Sequence, residues 1–225
     1  MTATHEVHEL SDPLVLPDTE IRSLLFGAPW RRFAVMGDSI ALGTGDPSPG
    51  YAHKGWADRV ADALGEANPG VAYLNTGRVG ATSGQVIEEQ LSRVIAFQPD
   101  LVHVNCGAND LFTAGGNPDE VRRNLTALFT ALTDAGATIS CFALADVWEI
   151  DRMAPMRPMR ARMAELNTIV KDVALQHDAV FGDFWTHPVR LRPETMSADL
   201  IHFTASGHAV VASEIVRLLG ARIVR

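Results

Sequence analysis

The stretch Arg32-Phe33-Ala34-Val35-Met36-Gly37-Asp38-Ser39 decides the fold. Four consecutive apolar residues without polar alternation read as a short buried strand, and Gly-Asp-Ser turns the chain out of it. The same grammar repeats downstream. Trp56, Val60, Ala63 and Leu64 recur at helical spacing until Pro69-Gly70, and Val71–Leu74 reads as a second strand. Val86, Ile87, Leu91, Val94 and Ile95 form the next helical stripe, stopped before Pro99, and Leu101–Val104 is a third strand. Asn117-Pro118-Asp119-Glu120 combines a capping Asn, a Pro at the first helical position and early carboxylates. The helix it opens carries Val121, Leu125, Leu128, Phe129 and Leu132 and ends at Gly136. A fourth strand follows at Ala137–Leu144, then a helix on Met159, Met163, Leu166, Val170 and Val173, and a fifth strand at Ala179–Phe181. Thr204 is expected to cap a last helix carrying Val210, Val211, Ile215 and Leu218.

Strands alternating with amphipathic helices predict an α/β fold with a five-stranded parallel sheet. Right-handed crossovers then make a three-layer α/β/α sandwich. Residues 31–225 read as a single domain, without repeats or a Pro/Gly-rich linker. Residues 1–30 read as an N-terminal extension: irregular and partly mobile to residue 20, with a short helix from Ile21 to Phe26 ending at Gly27.

Nineteen Lys and Arg against 27 Asp and Glu leave a net charge of −8, which argues against nucleic acid as the main partner. No apolar run approaches the ~20 residues of a membrane span. The first residues, MTATHEVHEL, lack the basic and apolar blocks of a signal peptide, so a cytoplasmic protein is expected. Cys106 and Cys141 are read as two reduced core thiols, with a disulfide between neighbouring strands as the alternative. Nothing in the chain selects an oligomeric state.

In an open parallel sheet, ligands bind outside the carboxyl ends of the strands. The segments following the strands are Gly37-Asp38-Ser39, Asn75-Thr76-Gly77-Arg78-Val79-Gly80, Gly107-Ala108-Asn109-Asp110 and, before the last helix, Asp199-Leu200-Ile201-His202. A hydroxyl, glycine N–H groups, an amide, a carboxylate and an imidazole therefore converge on one rim. Acyl transfer needs these parts. A serine hydroxyl needs a base within reach, the base needs a carboxylate to fix its tautomer, and the developing oxyanion needs preorganised donors.

At these positions the chain resembles the SGNH/GDSL hydrolases. Gly37-Asp38-Ser39-Ile40 is similar to the family's first block, Asn75 to Thr82 to its second, Gly107-Ala108-Asn109-Asp110 to its third, and Asp199-Leu200-Ile201-His202 to its fifth. The resemblance covers about four-fifths of the chain, from Phe33 to the last helix. It implies a flavodoxin-like sheet and a Ser-His-Asp ester hydrolase with no metal or other cofactor. It implies Ser39 as nucleophile, Asp199 as orienter, and His202 as base and then acid. The implied oxyanion hole is Ser39, Gly80 and Asn109, with Gly80 chosen by its spacing from Asn75 and Thr82 and Gly77 as the fallback. The chain departs from the family at Phe203, where Pro is common, and at Arg78, a large cation near the expected substrate site.

Plainer readings compete at each position. Ser39 alone could cap a helix, and Asp38 and Asp110 suit loop bracing. Asp199 and His202 lack the further His or Cys that would complete a metal site. Gly37, Gly43 and Gly45 do not match a nucleotide-binding spacing. His103 reads as a core or edge residue and His208 as packing. In the long connection Asp146–Pro158 and just beyond it, Trp148, Met153, Met156 and Met159 either line an acyl pocket or cover the core, and Tyr51–Trp56 could form the opposite wall. The expected partner is a small-molecule ester: a simple carboxylic ester, an acetylated sugar or an acylated metabolite. Two alternatives stay open, an acyltransferase using the same acyl-enzyme and a non-catalytic ligand-binding protein on the same fold.

Overall fold

In the computed structural model, β1 (Arg32–Gly37) lies inside the sheet, between β2 (Ala72–Asn75) and β3 (Leu101–Asn105). The structure describes residues 8–112 and 115–223. β4 (Thr138–Ala143) and β5 (Val180–Asp183) complete a five-stranded sheet of order β2-β1-β3-β4-β5. Every pairing is parallel, and Phe33 stands opposite Tyr73 on one side and Leu101 on the other. This is the flavodoxin-like order, so the α/β expectation holds. The chain reverses its direction of travel across the sheet between β1 and β3, and the crevice at their carboxyl ends is where such folds bind ligands.

The helices are α1 (Asp18–Leu24), α2 (Ser39–Leu42), α3 (Trp56–Ala67), α4 (Ser83–Val86), α5 (Ser92–Ala96), α6 (Ala108–Phe112), α7 (Pro118–Asp134), α8 (Arg160–Gln176) and α9 (Ala205–Ile223). α1 and α3 pack on α9, and α7 packs on α8 and α4, so helices flank the sheet. α7 shows the local logic. The Asn117 side chain accepts the Asp119 N–H at 3.0 Å, Pro118 opens the helix, and Val121, Leu125, Leu128, Phe129 and Leu132 are all buried. Each such side chain contributes roughly 1.5–3 kcal/mol.

Three details differ from expectation. The first helix starts at Asp18 and ends at Leu24, with acidic residues in its first turn, and residues 12–16 ahead of it are tied down. Leu16 is buried and its N–H donates to Ser213 Oγ at 2.9 Å, while residues 1–7 lie outside the described chain. Thr204 does not cap α9 with its hydroxyl, which donates to the Glu194 carbonyl at 2.8 Å. The first N–H groups of α9 instead meet the Asp46 carbonyl and Ser48 Oγ, both in the loop beyond Ser39. Finally, the helix from Ser83 to Ala96 passes through a π-helical stretch at Ile87–Leu91, which turns Gln90 into the core.

Candidate active site

β1 ends at Gly37, whose φ of 141° and close approach to Asn105 leave no room for a Cβ, which would lie 1.9 Å from the Asn105 carbonyl oxygen. Asp38 then caps the short α2 by accepting the Ile40 N–H at 2.9 Å. Ser39 is the first residue of that helix and is buried at the sheet's carboxyl edge. Burial, with the neighbouring Asp110 charge adding to it, raises the Asp38 carboxyl to about 7 against the backbone N–H bonds from Ile40 and Ala41.

Ser39 Oγ lies 2.7 Å from His202 Nε2, and His202 Nδ1 lies 2.6 Å from Asp199 Oδ2. The second bond comes from a single tight turn. Asp199 Oδ1 accepts the N–H groups of Ile201 and His202 at 2.9 and 3.1 Å, leaving Oδ2 for the imidazole. Leu200 takes a φ of 62°, a left-handed conformation uncommon for a branched side chain, to close this turn. Burial alone would raise the Asp199 carboxyl, but the bonds from His202, Ile201 and His202 N–H hold it below its usual value. A carboxylate–imidazole–hydroxyl chain in this order can deprotonate the hydroxyl and stabilise the resulting imidazolium.

Two further residues of the rim carry donors. The Asn109 amide donates to the Ala81 carbonyl at 3.0 Å, which fixes its orientation, and Asn109 lines the cavity beside Ser39. Gly80 is exposed, with a φ of 75°, and among the described residues no acceptor takes its N–H. The Gly77 N–H is committed to Asn75 Oδ1 at 2.9 Å. Asp110 accepts Ser83 N–H and Oγ at 2.8 and 2.7 Å and so ties the third loop to α4.

An apolar cavity opens beside Ser39 and His202, and Trp148, Met153 and Met156 line it. Four candidate residues fall elsewhere. Arg78 does not line the cavity: its guanidinium pairs with Glu89 at 2.8 Å on the exposed face of the second loop. Tyr51 and Trp56 do not form the opposite wall, because Tyr51 OH donates to Asp12 and Trp56 is buried, its indole bonded to the Ile40 carbonyl. Met159 lies just before α8, away from the lining. His208, read as packing, does line the cavity. His103 is buried in β3 between the Trp56 and Phe142 rings, bonded to Ser140 Oγ at 2.9 Å.

Sequence reasoning passed over the residues that hold this site in place. Gln90 bonds Gly37 on the side where β2 has already ended, accepting its N–H at 2.9 Å and donating to its carbonyl at 2.8 Å. Its signal was a polar residue at helical spacing between the apolar Val86 and Val94. Asp46 accepts the Ala198 N–H at 2.8 Å, and Arg152 donates to the carbonyls of Pro193, Met196 and Ser197. These bonds pin the loop that delivers Asp199. Among the described residues no group of three or more His, Cys, Asp or Glu could hold a metal ion, and no helix is long and apolar enough to cross a membrane.

Fold and site together define the class as an ester hydrolase built on a flavodoxin-like sheet. The chain belongs to the GDSL-like lipase/acylhydrolase family, whose model matches residues 35–210. It is 30% identical over 108 residues to an arylesterase from Vibrio mimicus, a match spanning 48% of this chain and about half (52%) of that protein. It is 26% identical over 211 residues to an acetylxylan esterase from Geobacillus stearothermophilus, covering 84% of this chain and 94% of the relative. A lipase/acylhydrolase structure from Enterococcus faecalis superposes with a TM-score of 0.67 at 24% identity, covering 85% of this chain and 96% of that one.

Proposed function

We propose that this protein hydrolyses carboxylic esters of small or medium size through an acyl-enzyme on Ser39. The single observation carrying the reading is the continuous chain from Ser39 Oγ through His202 to Asp199, with bonds of 2.7 and 2.6 Å. Ser39 Oγ attacks the ester carbonyl carbon while its proton passes to His202 Nε2, and Asp199 stabilises the imidazolium. The oxyanion is held by the N–H groups of Ser39 and Gly80 and by the Asn109 amide. Collapse breaks the C–O bond, and His202 returns the proton to the departing alcohol. Water, deprotonated by His202, then attacks the acyl-enzyme, and the carboxylic acid leaves as Ser39 regains its proton. The apolar cavity with Trp148, Met153 and Met156 suits the hydrocarbon part of the substrate. The names of the two relatives, an arylesterase and an acetylxylan esterase, point to simple aryl and acetyl esters as first substrates to offer.

The reading takes residues 31–225 as one catalytic domain and residues 1–30 as an extension, in which Leu16 bonds to Ser213 of α9. It includes a cytoplasmic setting, supported by Cys106 and Cys141 being buried and unpaired, and no role in nucleic-acid binding, supported by the net charge of −8.

The test is labelling by a fluorophosphonate probe alongside turnover of p-nitrophenyl acetate. Wild-type protein takes the label and cleaves the ester, and Ser39→Ala loses both while melting at the same temperature. Substantial turnover by a folded Ser39→Ala protein would falsify the assignment.

A further inference from the structure

Asp199 and His202 reach Ser39 on a segment with little regular structure of its own. Between β5 and α9, residues 184–204 form two short 3-10 turns, Pro188–Leu191 and Pro193–Thr195, and one antiparallel pairing of Met196 with Phe203. That pairing belongs to a stem. The Thr195 carbonyl accepts the Thr204 N–H at 2.8 Å, and the Ser197 N–H donates to the His202 carbonyl at 2.8 Å. Bonds inside the turn on this stem fix His202 against Asp199. The 2.7 Å contact of His202 with Ser39 instead spans 163 positions, so it depends on where the stem lies.

The N-terminal extension holds the stem by two routes, although it lies outside residues 35–210 that carry the family match. The direct route is an ion pair. The buried Asp12 carboxylate takes both guanidinium bonds of Arg192, and the Arg192 carbonyl accepts the N–H and hydroxyl of Thr195. The second route runs through the loop beyond Ser39. Glu9 accepts the Ala52 N–H at 2.8 Å, its own N–H donates to the Gly50 carbonyl at 3.2 Å, and Asp12 accepts the Tyr51 hydroxyl at 2.8 Å. That loop grips the stem in turn. Asp46 accepts the Ala198 N–H at 2.8 Å and donates its N–H to Ser197 Oγ at 2.9 Å. Extension, Arg192, stem and loop therefore close a circuit of bonds through the turn that carries His202. Arg152, bonded to the Met196 and Ser197 carbonyls, is a separate hold.

We infer that Asp12 and Arg192 are positioning residues for the reaction: through the stem they set the distance between His202 and Ser39. The inference rests on the proposed ester hydrolysis. A misplacement of about 1 Å at reacting groups costs on the order of 10² in rate. Breaking the pair leaves Asp46 and Arg152 in place, so the loss is partial.

Asp12→Asn and Arg192→Gln remove opposite charges. A displaced His202 slows both proteins alike, whereas a through-space electrostatic effect drives the rate in opposite directions. Below the melting transition of each protein, kcat/KM for p-nitrophenyl acetate and the rate of fluorophosphonate labelling should fall about 10–100-fold in both. The double variant should fall no further than the slower single one, because the pair acts as a unit. Leu132→Ala, at a buried position of α7, costs stability without touching the circuit and should keep wild-type rates. Rates within threefold of wild type in the two pair variants, opposite changes in them, or an equal loss in Leu132→Ala overturn the inference. Tyr51→Phe spares the ion pair and removes one bond to Asp12, so a smaller loss of the same kind is expected. Should the pair variants not fold, an unaffected Tyr51→Phe protein overturns the inference.

A readout without turnover uses protein labelled with ¹⁵N at histidine. The ring signals that His202→Gln removes identify His202, and Ser39→Ala gives the Nε2 shift of an imidazole without its hydroxyl partner. In Asp12→Asn and Arg192→Gln, Nε2 should move towards that shift while Nδ1, held by Asp199 within the turn, stays. Both nitrogens unmoved, or both moved, overturn the inference. Nε2 moving alone, when the wild-type protein neither takes the label nor cleaves the ester, supports the positioning role and sinks the esterase reading instead.

Discussion

The carboxylate of Asp12 and the guanidinium of Arg192 meet through two hydrogen bonds, 2.7 and 3.0 Å long, across 180 positions of sequence. Asp12 is fully buried at its side chain and also accepts from Tyr51 OH at 2.8 Å. The pair ties three segments together: the N-terminal extension, the loop beyond Ser39 and the loop leading to Asp199. Arg192 continues the tie, because its carbonyl accepts the N–H and hydroxyl of Thr195.

Burial alone would raise the Asp12 carboxyl, but the bonds from Arg192, the Leu14 N–H and Tyr51 outweigh it and hold it below its usual value. A lowered folded-state pKa gives stability that is present above the unfolded value and lost as pH falls through the folded one. Asp12→Asn should therefore cost about 2–3 kcal/mol at neutral pH, and the gap to wild type should close in acid. Urea denaturation across a pH series checks this, and a gap of constant size would mean that Asp12 carries no charge in the native state.

Asp38 should behave in the opposite sense. Burial first, and Asp110 second, raise its carboxyl from 3.8 to about 7. A raised folded-state pKa gives stability that is complete below the unfolded value and lost as pH rises through the folded one. Asp38→Asn keeps an oxygen to cap the Ile40 N–H but does not titrate. The stability of wild type minus variant should decline between the ordinary carboxylate range and about 7. Thermal melts over that window test the point, and a flat difference contradicts it.

For Asp199→Asn, the asparagine oxygen can keep the two backbone bonds of the turn, which presents NH₂ rather than oxygen to His202 Nδ1. The imidazole then holds the wrong tautomer for deprotonating Ser39, an effect of about 10⁴ where the carboxylate is buried. The Asp199 side chain is 46% exposed, so water can compensate in part. The expected loss in kcat is about 10²–10³, with the melting temperature retained. Steady-state kinetics within threefold of wild type would show that solvent orients His202 unaided.

The two glycines of the second loop should separate stability from catalysis. A Cβ at Gly77 would lie 2.6 Å from the Leu42 backbone nitrogen, so Gly77→Ala should lower the melting temperature. A Cβ at Gly80 meets nothing within 4 Å, and only its left-handed φ of 75° resists the change, at about 1–2 kcal/mol. If its N–H helps hold the oxyanion, Gly80→Ala should lose kcat out of proportion to stability. Asn109→Ala should lose about 10²–10³ in kcat on the same grounds. Kinetics and melts on the three variants decide, and an unaffected kcat removes that residue from the oxyanion hole.

Gln90→Leu should uncouple the two levels in another way. It leaves the N–H of Gly37 without its partner at the end of β1, at about 1–3 kcal/mol, while the Gly37 carbonyl keeps the Arg78 N–H at 3.1 Å. Because Gly37 precedes Asp38 and Ser39, kcat should fall together with stability. Calorimetry and turnover measured on one preparation test the link, and a stable, fully active variant would refute it.

Residue order alone determined the parts that obey short-range rules. Apolar runs such as Phe33–Met36, helical stripes such as Val121–Leu132 and the Asn117-Pro118 cap depend only on neighbours, so the strands and most helices of the α/β fold were legible. So was the meeting of Ser39 and Asn109, because a parallel sheet brings every strand's carboxyl end to one edge, whereas Asp199 and His202 reach it on a loop ahead of α9 that bonds to Asp46 and Arg152 hold. The tertiary structure alone decided that Arg78 turns outward to Glu89, that Ser48 rather than Thr204 serves the start of α9, that Gln90 completes β1, and that Asp12 meets Arg192. Each of these depends on the distance between segments remote in the chain, and a hydrogen bond is lost over a displacement of about 1 Å. Periodicity carries no information at that scale. Only the packed sheet and helices set it.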